Sequence, residues 1–259
     1  MTAEHYRVRI KVENGYLDGT VLAPKTTVAG VLFVHGWGGS QEQYLERARQ
    51  AAALGCVCLT FDLTGHGRTL EEQQNVTRET HLRDLLAAYD TLVDHPLIDR
   101  DAIAVVGSSY GGYLATILTE LRPVRWLGLR VPALYLDDGW NTPKRALHVE
   151  HDLVAYRKRI VPASDNRALR AASRFRGDVL LVESEHDQIV PHTAIASYLQ
   201  ACLSARSLTY RILEGADHGL SDAASQRAYT ALVEKWLVEM ITGQRAGERG
   251  SAGPAPADA

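Results

Sequence analysis

The chain of 259 residues has little cysteine, little net charge and no long apolar run. Its three cysteines are an odd count, which argues against a disulfide framework. Cys56 and Cys58 sit inside an apolar stretch and read as reduced core residues of a cytoplasmic protein. A formal charge of −3 leaves no electrostatic footprint for nucleic acid. The longest candidate apolar run, Val28 to Val34, is strand-sized, far below the ~18–20 residues of a membrane span, so no membrane partner is expected. The N-terminus carries Glu4, Arg7 and Arg9 where a secretory signal needs apolar residues. Neither a phosphate loop nor a Gly-x-Gly-x-x-Gly fingerprint occurs, which disfavours nucleotide binding. No cofactor and no metal are expected, and there is no internal repeat.

What is present is an ordinary globular composition, 46% hydrophobic and 23% charged. Tyr6 to Val12 and Tyr16 to Leu22 alternate with the period of half-buried strands. The Asn14-Gly15 pair between them signals a hairpin. Val28–Val34, Cys56–Phe61, Ala102–Val106, Val124–Leu129, Val179–Val182 and Leu208–Leu213 read as further strands, several of them continuously apolar. Helical patterns cover 41–54, 78–93, 110–121, 193–203 and 223–241. Strands alternating with helices imply an α/β domain with a mainly parallel sheet and an antiparallel edge hairpin. Residues 131–176 interrupt that rhythm and read as an insertion within one domain, 1–242. The Gly-, Pro- and Ala-rich residues 243–259 are expected to be a disordered tail.

The sharpest local feature is Gly107-Ser108-Ser109-Tyr110-Gly111. It follows a buried strand and opens a helix, the context of a Gly-x-Ser-x-Gly nucleophile elbow. Such a turn crowds the positions two before and two after its centre. Glycines flank Ser109 at both places, whereas Ser108 would have Val106 and Tyr110 there. Ser109 is therefore the candidate nucleophile; the plainer reading is a Gly-rich strand–helix turn without chemistry. His35-Gly36-Trp37-Gly38-Gly39-Ser40 follows the third strand, where a second oxyanion loop is expected. The backbone N–H groups of Trp37 and Tyr110 are the candidate donors. The alternative is a tight turn with Ser40 as helix cap, and the two readings are compatible.

A hydroxyl nucleophile needs a base and an orienting acid. Of ten histidines, His218 lies in the loop after the last strand, on the same edge of the sheet as the elbow. Asp187 follows the preceding strand. Glu185 is a second candidate acid, while Asp217 adjoins His218 and is badly placed to meet its ring. His35, His66 and His186 read as structural or loop residues.

Together, His35-Gly-Trp-Gly-Gly, Asp62-Leu-Thr-Gly-His-Gly, Gly107-Ser-Ser109-Tyr-Gly, Asp187-Gln-Ile-Val-Pro and Asp217-His218-Gly resemble the α/β-hydrolase family. The likeness is nearest to small bacterial serine esterases of the dienelactone-hydrolase and feruloyl-esterase kind. It implies an α/β-hydrolase fold with helices on both faces of the sheet. It also implies a Ser109–Asp187–His218 triad, an acyl-enzyme intermediate and a small-molecule ester substrate. Two departures stand out: serine replaces the cysteine nucleophile of a dienelactone hydrolase, and Ser184 occupies a place where glycine is common. Thioesters and amides remain alternative substrates, and a non-catalytic binding protein is the alternative from another class. The family often inserts a cap where 131–176 falls. That segment carries nine Lys or Arg against five acids, with Tyr135, Trp140 and Tyr156 interleaved as candidate pocket residues beside Trp37. Its plain reading is a solvated helical face. The sharper one is a cap suited to an acidic acyl group or the phosphates of a CoA ester.

Overall fold

The computed structural model describes residues 4–13, 15–23, 28–147 and 152–251. The hairpin pairs β1 (Glu4–Val12) with β2 (Gly15–Ala23) from Glu4↔Ala23 to Val12↔Gly15, and Asn14 lies outside the described residues. The remaining strands are β3 (Val28–Val34), β4 (Val57–Phe61), β5 (Ile98–Ser108), β6 (Trp126–Arg130), β7 (Asp178–Ser184) and β8 (Ser207–Leu213). They form one eight-stranded sheet in the order β1-β2-β4-β3-β5-β6-β7-β8. β2 meets β4 antiparallel, and every pair from β4 to β8 is parallel.

The central strands are apolar on both faces because helices cover both. In β3, Leu32 and Val34 point into one hydrophobic core while Val31 and Phe33 point into the other. In β5, Ile103 and Val105 are divided from Ala104 and Val106 in the same way. This is the period-two alternation of a strand. One core is closed by α1 (Leu45–Ala53) and α7 (Ala223–Ser251), through Ala48, Ala51, Tyr229, Val233 and Trp236. The other is closed by α2 (Arg78–Val93), α3 (Tyr110–Leu118) and α6 (His192–Ala201). The insertion joins this second layer through α4 (Leu153–Arg157) and α5 (Arg167–Arg174), which contribute Leu153, Tyr156 and Leu169. Residues 148–151 lie outside the described residues.

Some elements differ from the sequence expectation. The helix expected from Gln41 begins as a 3-10 turn, Gln41–Tyr44, and becomes α-helical at Leu45. Ser40 makes no side-chain cap; instead Asp62 Oδ1 accepts from the Gln41 N–H at 2.8 Å. The last helix runs on to Ser251, into the segment expected to be disordered from Gly243. Gln244, Arg245, Ala246, Glu248 and Arg249 are residues that tolerate a helix well. The expectation for 252–259 falls outside the described residues.

Candidate active site

The parallel strands deliver their following loops to one edge of the sheet, and the candidate residues arise there: Trp37 after β3, Ser109 after β5, Asp187 after β7 and His218 after β8. Ser109 has φ 52° and ψ −117°, a left-handed conformation that costs a non-glycine residue energy and marks functional turns. The flanking glycines are required by contact. A Cβ on Gly107 would lie 2.5 Å from the Gly111 carbonyl oxygen, and one on Gly111 would lie 2.3 Å from that of Val34. The elbow is tied down by Ser109 N–H donating to Arg130 O at 2.9 Å, and by Ser109 O accepting from Tyr113 N and Ala133 N. Val131 nearby has φ 39°, unusual for a β-branched residue, so backbone strain is found both at the serine and beside it.

His218 lies between the other two residues. Its Nδ1 is 2.6 Å from Asp187 Oδ2, and its Nε2 is 3.1 Å from Ser109 Oγ. A carboxylate only accepts, so Nδ1 carries the proton and Nε2 is left as the acceptor facing the hydroxyl. The other oxygen of Asp187, Oδ1, accepts from the N–H groups of Ile189 and Val190, each at 2.8 Å. Burial would raise the Asp187 pKa, but the His218 hydrogen bond and these backbone donors bring it below its ordinary value. Asp187 therefore stays ionised through the neutral range. Arg130, buried at the end of β6, donates from Nη2 to the His218 carbonyl at 2.9 Å and fixes the histidine loop from beneath. The alternative acids are occupied elsewhere. Glu185 accepts from Gly215 N, and Asp217 accepts from the N–H and hydroxyl of Ser221.

The loop 36–39 sits directly against the candidate nucleophile: a Cβ on Gly36 would meet Ser109 Cβ at 3.4 Å. Its conformation is set by buried histidines. His35 Nε2 accepts from Leu63 N at 3.0 Å, and His66 Nε2 accepts from Gly38 N at 3.1 Å. Burial holds the pKa of His35 down to about 4 and lowers that of His66, so both stay neutral and can accept. His81, which no sequence pattern singled out, donates from Nε2 to Thr64 O and accepts the Tyr110 hydroxyl at Nδ1, 2.9 Å away. Its pKa is pushed down to about 3 by burial. The Asp62–Gly67 motif thus acts as the underlay of the candidate oxyanion loop.

Of the aromatic residues expected near a pocket, Trp37 is half-buried beside the elbow, whereas Tyr135 and Tyr156 are buried. The Tyr156 hydroxyl accepts from Asn166 Nδ2. Trp140 Nε1 donates to Glu79 at 2.6 Å, joining the insertion to α2. Arg78, Arg130 and Lys144 are buried neighbours of the candidate site that sequence reasoning missed. Nothing in their local spacing separates them from surface cations. Among the described residues, no group of three or more His, Cys, Asp or Glu is arranged to hold a metal ion. None of the described helices is long and apolar enough to cross a membrane.

Comparison with known proteins agrees with this architecture. A dienelactone hydrolase from Anabaena variabilis superposes with a TM-score of 0.67 at 18% identity, over 93% of this chain and all of that one. Est1E from Butyrivibrio proteoclasticus, with ferulic acid bound, reaches 0.71 at 17% identity, over 91% of this chain and 99% of that one. The acylaminoacyl peptidase of Pyrococcus horikoshii reaches 0.69 at 19% identity, but matches only 44% of that longer chain. Among curated proteins, Hydrolyase poxO from Penicillium oxalicum is 30% identical over 124 residues, 44% of this chain. The chain spans only 30% of that relative's length. The family model described as alpha/beta hydrolase family matches residues 31–232, which runs from the third strand into the last helix and takes in every candidate residue. This protein belongs to the alpha/beta hydrolase family.

Proposed function

We propose that this protein is a serine hydrolase of carboxylic esters. The observation that carries the reading is the continuous chain Ser109 Oγ, His218 Nε2, His218 Nδ1, Asp187 Oδ2, with links of 3.1 and 2.6 Å on a strained elbow. In this reading Ser109 Oγ attacks the ester carbonyl carbon while its proton passes to His218 Nε2. Asp187 holds the imidazole tautomer and stabilises the imidazolium. The carbonyl oxygen becomes an oxyanion received by the N–H groups of Trp37 and Tyr110, each worth ~2.7–4 kcal/mol in the transition state. Collapse of the tetrahedral intermediate expels the alkoxide, which takes the proton from His218, and leaves an acyl group on Ser109. A water molecule then gives its proton to His218 and attacks the acyl carbon. Collapse of this second tetrahedral intermediate releases the carboxylic acid, and Ser109 Oγ takes the proton back from His218.

The likeness to Est1E with ferulic acid and to a dienelactone hydrolase supports ester cleavage. The acylaminoacyl peptidase likeness makes amide cleavage the second reading. A fluorophosphonate probe tests the first step: stoichiometric labelling of the wild type and none of Ser109→Ala is expected. An unlabelled, folded wild type overturns the assignment. A panel of nitrophenyl esters, acyl-CoA thioesters and aminoacyl anilides then ranks the leaving groups; anilides turned over faster than esters would favour the peptidase reading.

A further inference from the structure

Besides Arg130, three cations are buried beside the candidate site: Arg78, Lys144 and Arg157 are 0%, 1% and 5% exposed. Arg78 gives its N–H groups to the carbonyls of Leu136 and Asp138, and Arg157 Nε donates to Leu134 O. Lys144 differs. Its ammonium lies against aromatic faces, 4.3 Å from the ring centre of Trp37 and 4.8 Å from those of Tyr110 and Tyr135. Burial lowers its pKa, and the neighbouring Tyr135 phenol opposes that shift. The Tyr135 phenol is itself brought below its ordinary value: burial would raise it, but Lys144 and Arg157 outweigh burial.

Two of those rings belong to the residues whose N–H groups receive the oxyanion in the reading above. They come from different elements, the loop after β3 and the first turn of α3, and the ammonium comes from a third, the insertion. Its base is fixed: Lys144 N–H donates to Val76 O at 2.8 Å, and Pro143 bridges Thr77. Both rings have further partners. Trp37 meets the edge of His66 at 5.1 Å, and the Tyr110 hydroxyl is bound by His81. Among the described residues the ammonium meets no carboxylate, and its polar partner is the Tyr135 phenol; burying it in this way is costly, and a methionine of similar length would satisfy packing alone. A cation over a desolvated indole face is attracted strongly and directionally. The cluster therefore specifies geometry rather than stability.

We propose that Lys144 is a positioning residue for the oxyanion site, holding the rings of Trp37 and Tyr110 so that their backbone N–H groups converge on one point. The proposal rests on the serine-esterase reading. Lys144→Met tests it with a nitrophenyl ester and with a boronic acid that forms a tetrahedral adduct on Ser109. The expected result is a kcat lower by roughly 10- to 100-fold, short of or equal to deleting one donor outright, with KM within about threefold. Boronate affinity should fall in step with kcat. Thermal stability should be unchanged or higher, and endpoint labelling by fluorophosphonate complete. A folded Lys144→Met with wild-type kcat and boronate affinity overturns the proposal, as does a loss confined to KM. If that variant does not fold, Trp37→Leu replaces it, since it keeps the backbone donor and removes the ring that the ammonium grips. Unchanged kcat and boronate affinity in Trp37→Leu overturn the proposal equally. A wild type that does not react with the fluorophosphonate refutes the esterase reading itself, which separates the two failures.

Discussion

Asp187 shows how much of the proposed chemistry depends on single hydrogen-bonding atoms. Its Oδ2 meets His218 Nδ1, and its Oδ1 is taken by two backbone N–H groups. Asp187→Asn keeps the size but can present an N–H to the ring, which favours the wrong imidazole tautomer. The expected loss in kcat on an ester substrate is about 10⁴-fold, with KM nearly unchanged; steady-state kinetics on the purified variant would check it. Gly111 is constrained by space. A Cβ there would lie 2.3 and 2.4 Å from the carbonyl oxygens of Val34 and His35, and backbone cannot yield as a side chain does. Gly111→Ala is expected to cost roughly 3 kcal/mol, the upper end of overpacking penalties, and to push the 36–39 loop from Ser109. Urea denaturation would read the first effect and ester turnover the second.

At the scale of elements, the insertion is fastened to α2 by polar contacts in an apolar setting. Arg78 near the start of α2 satisfies the carbonyls of Leu136 and Asp138 and lies 5.1 Å from the ring centre of Trp140, whose N–H goes to Glu79. Lys144 adds its own backbone bond to Val76. Arg78→Ala would leave the part-buried carbonyls of Leu136 and Asp138 without these donors, at an expected cost of about 2 kcal/mol. Because α2 and the insertion are joined there, activity should fall below the level that lost stability alone explains. Comparing kcat with the folded fraction at the assay temperature separates the two. Arg130 plays the corresponding part on the other side, linking β6 to the carbonyl of His218.

Across the whole molecule, the neutral histidines under the site make stability depend on pH. His35 and His81 titrate at about 4 and about 3 in the native state, each depressed by burial. An unfolded histidine takes its proton near 6.5. As pH falls from 6.5 towards 4, the unfolded chain therefore binds protons that the native chain refuses, and stability drops. Asp84, raised by burial to about 6, acts in the opposite sense, because its native form binds a proton before the unfolded one. Two histidines, joined by the lowered His66, outweigh one carboxyl group. The urea midpoint is expected to fall steadily between pH 6.5 and 4; a flat profile over that range would refute the neutral-histidine assignment. His81→Gln should make the dependence shallower, provided that the variant still folds.

Much of this was legible in the sequence for local reasons. Strand and helix periods follow from which faces of β3 and β5 are covered. Gly107 and Gly111 announce the elbow because no larger residue fits, and the order Ser109, Asp187, His218 follows the order of the strand ends. What sequence could not supply is whichever neighbour a side chain acquires only when distant segments pack. Lys144, Arg78 and Arg130 look like surface cations in the chain, and His81 looks like any helical histidine. Their burial is decided by contacts with residues at separations such as 58 between Arg78 and Leu136 or 88 between Arg130 and His218. The sequence by itself determined the layered α/β architecture and the candidate nucleophile, because periodicity and steric exclusion act within a few residues. Only the tertiary structure decided that one buried ammonium from the insertion faces both Trp37 and Tyr110, because a cation's cost or use in the interior depends on which groups long-range folding places around it.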